Sequence, residues 1–154
     1  MSDEEVKEGI LSLDSLISER MKKYIHYKSM KNFVLHIEEI KNPRHRSHIM
    51  QLLSQYLEET KENDYNYDVS TTGDLARKYL FVMGDYYRRD ANFVQALKIE
   101  HVFLYGIMID SLLYFAGILS KFAYLPLTTI GFLTYYLFVS IFKEKKGRVY
   151  GVFY

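Results

Sequence analysis

Apolar residues in the first quarter of the chain recur at Val6, Ile10, Leu13, Ile17, Met21, Tyr24, Tyr27, Met30, Val34 and Ile37, every step three or four. That is the spacing of one helical face. Ser2 and Glu5 make a capping-box pattern at its start. The stripe predicts one long helix, or two with a break near Tyr27, running to Asn42. Pro43 stops it, because proline disfavours helical geometry in the residue before it. A second helix is predicted over 47–61, where Ile49, Leu52, Leu53, Tyr56 and Leu57 share a face. The segment KENDYNYDVSTTG, 61–73, has no apolar period and reads as a surface loop. Thr71 or Thr72 with Asp74 is placed to cap a third helix whose face is Leu75, Tyr79, Val82, Met83 and Tyr86. Asp90 is placed to cap a fourth, ANFVQALKIE, read as an interfacial lead-in over 91–100.

Beyond this point the periodicity gives way to two continuous apolar runs, 101–119 and 124–142, each 19 residues long. At 1.5 Å per residue such a run spans roughly 28 Å, close to the hydrocarbon thickness of a bilayer. The four residues between them predict an antiparallel hairpin, and Pro126 falls in the first turn of the second run, where its missing N–H costs nothing. Two such helices in tandem would need a core larger than the rest of the chain could surround. The predicted fold is therefore all-α: a cytoplasmic helical region of three to four helices over 1–90, the lead-in over 91–100, a transmembrane helical hairpin over 101–142, and a basic then aromatic tail over 143–154. The aromatic end of the tail reads as interfacial, with docking on the cytoplasmic helices as the alternative.

Composition sharpens this division. The net charge of the 154-residue chain is +1, so no global field argues for nucleic acid. Residues 101–142 carry only His101, Asp110 and Lys121 as ionisable groups besides tyrosines. There is no cysteine, which excludes disulfides and thiolate chemistry. The acidic start, MSDEEVKEG, lacks the basic and apolar pattern of a targeting segment, so the N-terminus is expected to be mature and untranslocated. Arg88 and Arg89 before the first run, and Lys143, Lys145, Lys146 and Arg148 after the second, predict both termini on the cytoplasmic side, or its organelle equivalent, with these cations meeting lipid headgroups.

Asp110 is the residue that does not fit its surroundings. On the insertion scale an acid at a helix centre costs about 2.5–3.5 kcal/mol. Gly106, Asp110, Tyr114 and Gly117 lie on one stripe, with two glycines that would admit a neighbouring backbone and a tyrosine able to donate to the carboxylate. Thr128, Gly131, Thr134 and Tyr135 make the matching face of the second run. These eight residues are the expected intramembrane contact or pore lining. In HIEEIKNPRHRSH, His36, Glu38, Glu39, His45 and His48 have ligand-type side chains, but Pro43 divides them and Arg44 and Arg46 oppose a cation. No phosphate loop or nucleophile pattern is present. The sequence thus predicts a non-enzymatic accessory or structural subunit of a membrane complex, with no cofactor or metal. Its expected partners are the bilayer and other subunits or copies of itself, not nucleic acid. The alternative is a homo-oligomeric two-span pore or membrane-disrupting effector gated by the cytoplasmic helices.

Overall fold

The computed structural model describes residues 2–95, 99–117 and 126–151, and they are mainly helical, as an all-α chain requires. Two compact units are present: a body formed by 1–96 with 147–154, and a hairpin formed by 97–146.

In the body, α1 (Asp3–Leu16) begins with the expected capping box. Ser2 Oγ accepts from Glu5 N, and Glu5 Oε2 accepts from Ser2 N. The helix buries Val6, Ile10 and Leu13. The long stripe is then cut twice. Ser18 caps α2 (Glu19–Tyr24), and His26 takes a left-handed conformation (φ 58°) that separates α2 from α3 (Tyr27–Leu35). The break near Tyr27 is thus real, while the one at Ile17–Ser18 lies inside an unbroken apolar period. The second helix begins earlier than predicted. Pro43 is the first residue of α4 (Pro43–Glu62), with Asn42 as its cap. Proline's fixed φ and missing N–H suit this position, so it starts a helix rather than stopping one; α3 has already ended at Leu35, not at the expected Asn42.

The next helix is one run in three parts: α5 (Thr72–Leu75), a widened π turn (Ala76–Leu80) and α6 (Phe81–Asp90). The expected threonine cap is absent; the Thr71 side chain instead accepts from Asp68 N, inside the preceding turn. The widened turn inserts extra backbone and rotates α6 relative to α5. The buried positions Leu75, Ala76, Tyr79, Leu80, Met83 and Tyr87 keep helical spacing through it, so Tyr87 is fully buried, Tyr86 packs only partly against the core and Val82 faces outward. Tyr87 stacks on Phe33 with centroids 4.6 Å apart, and its hydroxyl donates to Phe33 O.

Two expectations fail at the body's last elements. Asp90 ends α6 rather than capping a new helix, and Val94–Gln95 is a strand, β1, inside the predicted lead-in; residues 96–98 of that segment lie outside the described residues. Of the tail, 147–151 dock on the body, the alternative expected for it. Gly147 (φ +64°) turns the chain, and β2 (Val149–Tyr150) pairs in parallel with β1, Val94 opposite Val149 and Gln95 opposite Tyr150. On its other edge β2 meets side chains of α3 instead of a strand. Asn32 Nδ2 donates to Val149 O at 2.8 Å. Ser29 Oγ accepts from Gly151 N and donates to Gly151 O, both at 3.1 Å. Tyr150 lies against α6 at Gly84, where an added Cβ would overlap the tyrosine ring. Residues 152–154 lie outside the described residues.

His26 supplies a pH prediction. Its Nε2 is 3.0 Å from Thr72 O, a pure acceptor, so Nε2 carries the proton and Nδ1 is left bare and buried. Burial pushes its pKa below the ordinary value, against the opposing effect of the Thr72 carbonyl. Below about pH 6.5 the unfolded chain takes up a proton that the folded one resists, so stability present above that pH falls as acid is added. In urea titrations the midpoint is expected to drop below about pH 6.5, and His26→Asn, which tolerates the left-handed backbone, to flatten that drop. An unchanged slope in the variant would assign the effect elsewhere.

Candidate functional site: the polar seam of the hairpin

The hairpin consists of α7 (Ile99–Phe115) and α8 (Leu127–Lys145). Both are displaced from the predicted runs; 118–125, which include the predicted four-residue link, lie outside the described residues. Among the described residues no helix is long and apolar enough to cross a membrane. α7 has 17 residues, and the 19 of α8 include Lys143, Glu144 and Lys145. Asp110 therefore sits in the last third of α7, not at the centre of a span.

What lies opposite Asp110 is the beginning of α8. Its Oδ1 accepts from Thr128 N at 3.0 Å and from the Thr128 hydroxyl; its Oδ2 accepts from Thr129 N at 2.9 Å and Thr129 Oγ1 at 2.5 Å. The first N–H groups of a helix have no partner within it, and they form the positive end of its dipole. Pro126, which precedes α8, provides no side-chain cap. Asp110 supplies that cap from the other helix, meeting two orphan amides and two hydroxyls with one carboxylate. One turn below, Gly106 admits α8 so closely that an added Cβ would stand 2.7 Å from Thr129 Cα.

Of the eight expected contact residues, Gly106, Asp110 and Thr128 meet in this seam. The others do not join it. Gly117 has φ +72° just beyond the end of α7, and among the described residues no atom lies within 4 Å of a Cβ placed there or at Gly131. Thr134 donates to Ile130 O of its own helix, Tyr135 is 70 % exposed, and Tyr114 is 42 % exposed with its ring against Phe115. Thr129, 3 % exposed, is the seam residue that sequence reasoning missed. The signal was available: a Thr-Thr pair two and three residues beyond a helix-starting proline. Gly106→Ala is expected to weaken the helix pairing by about 1–3 kcal/mol, while Gly131→Ala stays within about 0.5 kcal/mol. Thermal melts of the two variants followed by circular dichroism compare them, and equal effects would sink the contact.

The six cations expected to meet headgroups are placed differently from one another. Arg88 and Arg89 both pair with Asp85, at 2.7 and 2.5 Å. Lys145 and Lys146 are exposed and Lys143 half-buried, with Lys146 over the Phe142 ring at 4.4 Å. Arg148 is turned into the body, where Nη2 meets Glu39 Oε1 at 2.9 Å. Burial opposes the charge on Glu39, but the hydrogen bonds from His36 and Arg148 outweigh it and hold its carboxyl below the usual range. The histidines of the 36–48 segment go separate ways. His36 meets Glu39, His45 meets Asp90, and His48 meets the Tyr86 hydroxyl. Among the described residues no three His, Asp or Glu side chains are grouped to hold a metal ion.

No protein-family model, curated protein or solved structure matches this chain.

Proposed function

We propose that this chain is a non-enzymatic membrane protein whose α7–α8 hairpin seats in the bilayer, while the body and both hairpin ends stay on the cytoplasmic face and hold other subunits of a membrane complex. The observation that carries this reading is the hairpin's reversed polarity. Its carboxylate, Thr128 and Thr129 are turned toward the seam. Its outward positions carry Phe103, Leu104, Ile107, Leu112 and Phe115 on α7, and Ile130, Phe132, Leu137, Phe138 and Ile141 on α8, all exposed. Phe115 is 86 % and Phe138 71 % exposed. Water selects the opposite arrangement, whereas hydrocarbon tolerates polar groups only where they satisfy one another. At 1.5 Å per residue the helices are roughly 25 and 28 Å long, near the thickness of the hydrocarbon layer. A second support is connectivity. The chain leaves β1 before the hairpin and enters β2, its hydrogen-bonded neighbour, after it.

The pore alternative is less well supported. It asks Asp110 to face a lumen, and the carboxylate already has four donors from its own hairpin.

The absence of cysteine makes the test direct. Single cysteines at Phe115, Phe138 and Glu58 would carry a fluorophore in the full chain reconstituted with liposomes. Lipid-borne quenchers are expected to darken the first two labels and spare the third. A protein that fails to float with the vesicles, with all three labels open to water-soluble quencher, would overturn the reading.

A further inference from the structure

Tyr150 carries one polar atom that the fold does not use. The residue is 3 % exposed, and Gly84 lies against its Cδ2, Cε2 and Cζ atoms. Its hydroxyl has no hydrogen-bond partner among the described residues, yet it is not one of the sealed polar atoms of the body. Tyr150 lines a groove of about 340 Å³, onto which that hydroxyl opens. A polar group in a nearly closed site normally has its partner in the protein, so a spare one calls for a partner from outside.

The groove is built from three elements. Phe81, Asp85 and Arg88, at steps of four and three, line it from α6, and Gln95 lines it from β1. Gln95 stands opposite Tyr150 in the ladder, so the two side chains share one face of the strand pair. Phe81 is 37 % exposed and gives the groove an apolar wall. The charges are unevenly matched. Asp85 Oδ1 accepts from Arg88 at 2.7 Å and Oδ2 from Arg89 at 2.5 Å. Two guanidiniums share one carboxylate, and this corner is left one positive charge over. All three side chains are exposed, so the pairing is weak and open to exchange. Arg88 meets Asp85 through Nη2, and a guanidinium has further donors. Burial raises the pKa of the Tyr150 hydroxyl, with Arg88 opposing the rise and Asp85 adding to it. The phenol is therefore protonated near neutral pH and able to donate.

We propose that this groove binds a small monocarboxylic acid whose carboxylate is carried on an apolar group. The Arg88 guanidinium and the Tyr150 hydroxyl meet the carboxylate, Gln95 donates beside them, and Phe81 meets the apolar part. A monoanion matches the single surplus charge, whereas a phosphate dianion is repelled by Asp85. The volume suits a ligand at the small end of the usual range. Tyr150 arrives with β2, so the site is complete only once the tail has docked. Every lining residue belongs to the body, and the site is independent of where the hairpin resides.

The test titrates the full chain in phosphatidylcholine nanodiscs with phenylpropionate, read by calorimetry against empty discs. Saturable binding is expected for wild type, and the neutral amide of the same acid should bind at least about 10-fold more weakly. Tyr150→Phe keeps the packing and should weaken binding of the acid about 10-fold, the scale of one hydrogen bond to a charged group. Arg88→Gln should weaken it as much or more. Lys41→Gln removes an exposed cation outside the groove and should leave it unchanged. Phenyl phosphate should bind more weakly than the acid. No saturable binding by wild type, equal binding of acid and amide, or wild-type affinity in Tyr150→Phe would overturn the proposal. Tighter binding of phenyl phosphate would overturn the choice of a carboxylate. The comparison of acid with amide is made on wild type alone, so it decides the matter even where a variant melts early.

Discussion

Replacing Asp110 with alanine is expected to open the start of α8. The substitution removes the acceptor for the amides of Thr128 and Thr129 and for both hydroxyls at once. Those amides have no other partner within their helix. Their hydrogen exchange, measured by mass spectrometry on the full chain, should quicken on the order of 10- to 100-fold, the range set by losing hydrogen bonds to a charged group. The interior of α8, from about Tyr136, should keep its protection. Asp110→Asn is the informative partner. Its amide oxygen can still accept from one threonine, but its NH₂ then faces the donors of the other, so exchange should rise at one amide more than at the other. Unchanged protection in Asp110→Ala would show that the carboxylate does not cap α8.

Tyr150→Ala should destabilise the body more than any single change in α1. The side chain is 3 % exposed, 5.8 Å from Phe33 by ring centroid, and seated on Gly84. Emptying such a site costs about 3–5 kcal/mol. Tyr150→Phe should cost less than about 1 kcal/mol, since packing rather than the hydroxyl carries the effect. Gly84→Val attacks the same contact from the other side and should approach the alanine variant in severity. Urea unfolding followed by circular dichroism measures all three. A midpoint in Tyr150→Ala equal to wild type would mean that the tail merely rests on the body.

What could be read in the sequence was local. The capping box at Ser2, the face of α1 and most of α4 come from three- and four-residue spacing, which one helix satisfies by itself. The same spacing concealed the breaks. Ile17 and Ser18 continue an apolar period across a helix boundary, and only the cap at Ser18 reveals it. The widened turn at Ala76–Leu80 left no mark in composition, and the neighbouring tyrosines Tyr86 and Tyr87 did not reveal which would be buried. The candidate site divides in the same way. Asp110 was conspicuous because a charge among apolar residues is costly wherever it lies. Its partners were not, because a cap supplied by another helix has no sequence spacing to trace. β2 was unreadable for the same reason: it has two residues, and its partners, Val94 on β1 and Asn32 and Ser29 on α3, are far away in the chain.

The parallel ladder also dictates an order of events at the ribosome. Val149, Tyr150 and Gly151 are made after the whole hairpin, yet they supply wall and polar rungs to a body whose helices are made before it. Contacts of such long sequence separation form late. For the whole interval in which α7 and α8 emerge, the newborn body has an open slot beside Ser29, Asn32 and Gly84. The hairpin is thus made while the body is still unlatched, and β2 closes it afterwards. A chain stalled at Lys146 should present that slot to chaperones and proteases, and release of the next few residues should end the exposure.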